Sequence, residues 1–268
     1  MDWSTAKNIL IVVFLILNIF LFIILRPFYF NQGIPESVLS NTVKIMASKD
    51  VVIKCEIPKT TGKYMILKSS TQALQTEKLT KLLFGKTLNF DSNNEIQLGS
   101  KTMQREKSDS IYYKDLAPTG KYDFTETRIL EREALLFIEK MGEDYENFVF
   151  DSKREISPGK FRIRYVEKFQ GYLVFRNYLE FIYSGKGIEE LILAYKKPDS
   201  FSNRRENIKN AYEVLLNNSG SLRGNVITSM DLGFMSESED SVYKNLVWRI
   251  KTQNNTVYYF DAYYGTKV

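Results

Sequence analysis

Residues Ile9 to Leu25 read ILIVVFLILNIFLFIIL, seventeen positions that are apolar except for Asn18 and carry no charge. A helix of that length rises roughly 25 Å, close to the hydrocarbon thickness of a bilayer. Trp3 precedes the run and Phe28, Tyr29 and Phe30 follow it, the placement expected of aromatic belts at two membrane interfaces. A cleaved leader ends in small residues, whereas this run ends in Arg26-Pro27-Phe28-Tyr29-Phe30. Cys55, the only cysteine, lies too far downstream for lipoprotein-type processing. The expected arrangement is an uncleaved, single-pass anchor in the cell membrane. Residues 1–8 form a cytoplasmic tip, 9–25 the transmembrane helix, and the rest is extracytoplasmic. The positive-inside comparison is nearly balanced, Lys7 and the amino terminus against Arg26 and Lys44, so the short tip and long downstream region set the orientation.

Asn18 is the pointed feature of that helix. An amide inside a bilayer is placed where a neighbouring helix can share its hydrogen bonds. Ile11, Phe14, Leu15, Leu21, Phe22 and Leu25 stand three, four or seven positions from it and define the face of a candidate interaction surface.

The region after the anchor, about 235 residues, suffices for one large or two small domains. With 44% hydrophobic residues, 18 Phe and 17 Tyr, it reads as folded and strand-rich rather than disordered. Glu36–Lys49 carries Leu39, Thr42, Val43 and Met46 at helical spacing after Pro35. Residues 51–57 and 63–69 are expected as strands around a Pro58–Gly62 turn, 72–84 as a helix ended by Gly85, and 95–105 and 110–116 as strands. Ala117-Pro118-Thr119-Gly120 marks a boundary between a first α+β lobe, 33–118, and a second, 119–268. In the second, Asp123 and Glu126 have capping-box spacing. Leu130, Ala134, Phe137, Ile138 and Met141 then line one helix face up to Gly142. Strands follow near 147–154, 160–170, 172–184 and 188–196. A helix opened by Asn203 and Glu206 comes next, then strands near 223–232, 244–253 and 256–263, the last two joined at Asn254-Asn255. Helices packed on one face of antiparallel sheets, an α+β fold, is the expected class.

The sequence contains no histidine, which excludes Ser-His-Asp, Cys-His and His-ligated zinc designs. One cysteine makes neither a thiolate zinc site nor a redox pair. No dinucleotide or phosphate-binding loop is present, and Ser184-Gly185-Lys186-Gly187 reads as a hairpin turn. No cofactor is expected. The net charge of +5 lacks the dense basic run of a nucleic-acid binder. Glu131 with Glu133, Glu143 with Asp144, and Glu189 with Glu190 are candidate acid–base pairs. Neighbouring carboxylates on one segment seldom converge on one bond, so solvated surface charge is the better account. Ser236–Asp240 lacks the spacing of a calcium loop. Phe161, Ile163 and Tyr165 alternate with Arg162 and Arg164, joined by Lys168, a basic stripe read as a solvent face.

The two ends of the chain resemble the YycI family. At the start this rests on Met1-Asp2-Trp3-Ser4, Lys7 and Phe14-Leu15-Ile16-Leu17-Asn18-Ile19-Phe20-Leu21. At the end it rests on Asp231-Leu232-Gly233-Phe234, Val247-Trp248-Arg249-Ile250, Tyr258-Tyr259-Phe260-Asp261-Ala262 and Gly265. The closing segment is also similar to PepSY-type modules. Leu246 departs from the family pattern, in which proline precedes the Val-Trp pair. The resemblance implies a non-enzymatic accessory regulator working beside a YycH-like protein and a WalK-type (YycG) sensor histidine kinase that governs cell-wall metabolism, with signal carried between membrane helices. The alternative is an exported PepSY-type binding or inhibitor module acting on a wall enzyme, protease or anionic polymer.

Overall fold

The computed structural model describes residues 3–30, 33–121, 127–236, 238 and 241–268. The expected Asp123–Glu126 capping box and most of the 236–240 run lie outside them. So does the side chain of Leu25. Helix α1, Trp3–Phe30, continues for 28 residues and contains the apolar run. From Ile9 to Phe22 its large apolar side chains are all 43% exposed or more. Among the described residues no helix is long and apolar enough to cross a membrane.

Helix α2 (Glu36–Ser48) starts after Pro35 as expected and buries Leu39, Thr42 and Met46. Strand β1 is only Val52–Ile53, and β2 is Lys63–Ser69. The expected strand over 51–57 pairs only at Val52 and Ile53, beside β11, and Ile57 enters the core. Helix α3 (Glu77–Phe84) starts later than expected and stops where Gly85 takes a left-handed φ of 76° and donates its N–H to Lys81. The expected strand over 95–105 folds back on itself as β3 (Glu95–Leu98) and β4 (Lys101–Lys107), and β5 (Ser110–Asp115) completes the meander.

Helix α4 (Thr127–Met141) buries Leu130, Ala134, Ile138 and Met141, the expected stripe. Strands β6 (Phe148–Ser157), β7 (Lys160–Phe169), β8 (Tyr172–Ser184) and β9 (Gly187–Ala194) follow the alternation closely. The helix expected from Asn203 is instead β10 (Pro198–Asn207), paired with β2. The same Asn-x-x-Glu spacing recurs seven residues on, where Asn210 and Glu213 form the capping box of α5 (Ala211–Asn217). Sheet pairing thus decides between two equivalent helix-start signals. Strands β11 (Val226–Met235), β12 (Tyr243–Thr252) and β13 (Val257–Asp261) close the fold. Asn255, at φ 63°, turns the last hairpin. Leu246, the departure from the family pattern, is a fully buried β12 residue in register with Phe234.

All these strands join one network, with β8 between β11 and β9 and further neighbours on both flanks. Pairings are antiparallel except β1 with β11 and β8 with β11. Two cores lie on it. The first packs α3 and α4 on β3–β9, with residues from Leu74 to Tyr195. The second packs α2 and α5 on β2 and β11–β13. It takes Leu39, Met46 and Leu67 from one end of the chain and Val214, Phe234, Trp248 and Phe260 from the other. The first unit is therefore nested inside the second. Ala117–Gly120 leads from β5 toward α4, both of which belong to the first core, and β5 pairs with β9 beyond it.

Candidate functional site

Strand β8 serves both cores, and midway it is irregular. Val166 of β7 pairs with Tyr178, whereas Glu167 pairs with Val174. Phe175, Arg176 and Asn177 are thus extra residues, a bulge at the point where the cores meet. Such bulges re-aim side chains. Here Phe175 and Asn177 turn inward while Arg176 stays exposed.

Asn177 is 1% exposed, and all four hydrogen-bonding positions of its amide are used. Nδ2 donates to Glu167 Oε2 at 2.5 Å and to the Lys196 carbonyl at 2.8 Å. Oδ1 accepts from the Lys196 N–H at 3.2 Å and from Lys244 Nζ at 2.8 Å. Glu167 is 3% and Lys244 1% exposed. Burial pushes the Glu167 carboxyl up to about 7, against the bond from Asn177 and the charge of Lys244. Burial likewise pulls the Lys244 ammonium down to about 8, with Glu167 partly opposing. Lys244 and Asn177 form part of the wall of a cleft of about 120 Å³.

A second polar cluster crosses between the cores on β6, β11 and β12. Arg249, 4% exposed, pairs with Asp151 at 2.8 Å and Asp231 at 2.9 Å, and its guanidinium lies 4.4 Å from the ring centre of Phe175. Lys251 also reaches Asp151, at 2.8 Å. Burial raises the Asp151 carboxyl, but Arg249 and Lys251 outweigh it and hold the group below its ordinary value. Gly233 follows Asp231 on β11, where a Cβ would stand 2.5 Å from the Leu173 carbonyl of β8. Only glycine lets those parallel strands approach. Phe234 and Trp248 are buried beneath, and the Trp248 Nε1–H donates to the Lys209 carbonyl at 2.9 Å.

Four of the candidate acid–base carboxylates have a lysine partner, as expected of surface charge. Glu131 pairs with Lys153 at 3.1 Å, Asp144 with Lys197 at 2.6 Å, Glu189 with Lys160 at 2.5 Å and Glu190 with Lys114 at 3.9 Å. Among the described residues no cluster suits a metal ion. In the basic stripe, Arg162 and Arg164 both face Glu180, at 3.2 and 3.4 Å, and Arg164 covers the Tyr178 ring. Lys168 is exposed further along β7, where it pairs with Leu173 beyond the register shift. Asn18, Ile11, Phe14, Leu15, Leu21 and Phe22 are all exposed on α1. Asp231, Gly233 and Arg249 lie in the segments that carry the family resemblance, but no site was expected at them. Glu167, Asn177 and Lys244 were not foreseen. Lys244 had a signal, since it stands in phase with the buried Leu246, Trp248 and Ile250. Asn177 and Glu167 had none, because the bulge breaks the alternation that would reveal them.

Fold and site define an α+β protein of two helix-backed cores on a shared sheet, joined by two buried polar clusters. The chain belongs to the YycI family: the family model described as YycI protein matches residues 32–263. Among solved structures it is similar to YycH from Bacillus subtilis, with a TM-score of 0.54 and 13% identity. That likeness covers 75% of this chain and 52% of YycH, so the chain spans about half the YycH length. An uncharacterized protein from Eubacterium rectale ATCC 33656 matches with a TM-score of 0.49 and 11% identity, over 85% of this chain and 98% of that one. The Bacillus megaterium YpeB C-terminal domain matches at 0.42 and 9%, over 88% and 96%. No curated protein matches.

Proposed function

We propose that this chain is a non-enzymatic, membrane-anchored accessory regulator of a cell-wall-controlling two-component sensor histidine kinase of the WalK (YycG) type, acting beside a YycH-like protein. The observation that carries the reading is the YycI family match over residues 32–263. The YycH-like fold supports it. So does α1, whose apolar surface stands exposed along its described length. Lysine partners on Glu131, Asp144, Glu189 and Glu190 suit surface charge better than acid–base catalysis.

On this reading residues 9–25 span the membrane, the chain beyond them is extracytoplasmic, and the Asn18 face meets a partner helix. Packing supplies most of that association, and the Asn18 hydrogen bond adds about 0.5–2 kcal/mol. In a crosslinking assay of the full chain against the kinase, Asn18→Leu weakens association about 2- to 30-fold without preventing insertion. An unrelated anchor in place of residues 9–25 weakens it further. If the foreign anchor associates and regulates as well as the native one, α1 is a tether only and contact runs through the extracytoplasmic region.

A further inference from the structure

We propose that the cleft beside the β8 bulge binds a small organic carboxylate, its anionic end against Lys244 and its short hydrocarbon part on the sheet surface. The cleft is built from both halves of the fold. Its floor is a cross-strand row on β5, β9 and β8, where Ser110 pairs with Ala194 and Ala194 with Tyr178, extended along β9 by Ile192. Its far wall comes from the other half: Ser236 after β11 and Lys244 on β12. Four cationic residues, Lys107, Arg176, Lys196 and Lys244, line it against two anionic ones, Glu106 and Asp109. Lys196 already pairs with Asp109 at 3.4 Å, which leaves the preference for a negative guest to Lys244.

Lys244 gives that preference a fixed point. Its ammonium has three donors; the described acceptors are Asn177 Oδ1 at 2.8 Å and the Lys196 carbonyl at 3.4 Å. Both are neutral oxygens, and Glu167 meets Lys244 only through Asn177. Among the described residues no carboxylate bonds the Lys244 ammonium directly; one in the cleft does so, and a charge-assisted bond of this kind is stronger than a neutral one. The floor explains why a carboxylate with a hydrocarbon body is favoured over a bare oxyanion, since Ala194 and Ile192 present apolar surface. A cleft of about 120 Å³ has room for a short-chain carboxylate. Binding concerns the chain alone; only the further step, that such a ligand is an input to regulation, rests on the reading above.

The test uses the purified full chain and butyrate, followed by saturation-transfer NMR at the butyrate methyl group. Acetate and inorganic phosphate serve as competitors. Saturable transfer is expected, weakened at least about tenfold by Lys244→Met and by Ala194→Leu, which fills the floor. Lys86→Met, outside the cleft lining, leaves it unchanged. Acetate competes more weakly than butyrate, having less apolar surface to bury. If Lys244→Met does not fold, Ala194→Leu decides, with its unfolding temperature checked against the parent. Absence of saturable transfer, or equal binding by the parent and Ala194→Leu, overturns the proposal. Phosphate displacing butyrate at lower concentration than acetate overturns the carboxylate assignment.

Discussion

The two polar clusters that join the cores lie at similar depth and use similar side chains, yet they handle charge in opposite ways. Around Arg249 every buried charge touches an opposite one directly, and Asp151 receives both Arg249 and Lys251. Attraction exceeds the cost of burial, and the carboxyl is held ionised. Around Lys244 a neutral amide stands between the charges, with Asn177 bonding Glu167 on one side and Lys244 on the other. Burial exceeds attraction there, and both groups shift toward their neutral forms. Burial alone therefore does not decide whether a polar junction is a fixed joint or an adjustable one; direct contact between opposite charges does.

The largest way to break the fixed joint is Asp151→Ala. It leaves Lys251 only the Asp151 main-chain carbonyl, and leaves Arg249, only 4% exposed, with Asp231 as its remaining carboxylate partner. A loss of about 3–5 kcal/mol in denaturant unfolding is expected, and a loss under about 1 kcal/mol would show that the cluster is not a joint. Gly233→Ala comes next. Its Cβ would lie 2.5 Å from a backbone oxygen of β8, so the parallel strands must part. The expected cost is about 2–3 kcal/mol, measured the same way. An unchanged midpoint would mean that β8 and β11 slide apart freely.

Much of the fold was legible because it is written locally. The stripe of α4 and the alternation through β6–β9 and β11–β13 need no knowledge of distant partners. Pairing was not legible. The residues 203–206 carry the same helix-start spacing as 210–213, and only the partnership of β10 with β2 makes the first a strand. The nesting of one core inside the other likewise depends on residues 36–69 finding 208–262, a contact that no local pattern encodes. At the site, the family resemblance covered Asp231, Gly233 and Arg249 without marking them as a site. Lys244 was reachable from its phase within an apolar strand. Asn177 was hidden by three extra residues in β8.

The comparison is tested most directly by the pH dependence of stability, taken as the difference between the parent chain and single variants. Glu167 is raised from an ordinary 4.5 to about 7 in the folded chain. Between those values the folded form keeps a proton that the unfolded form has lost, so this group's contribution falls as pH rises. Asp151 is shifted the other way. Its contribution is complete above the ordinary 3.8 and is lost as pH falls through its lowered folded value. Denaturant unfolding of the parent, Glu167→Gln and Asp151→Asn should be followed from pH 3 to pH 8, a range of roughly 5 units chosen to cross both transitions. The account predicts that the parent loses about 2 kcal/mol relative to Glu167→Gln between about pH 5 and 8. Relative to Asp151→Asn it loses stability only toward the acid end. Difference curves of the same sign, or a flat curve for Glu167→Gln, would contradict the claim that one joint is fixed and the other adjustable.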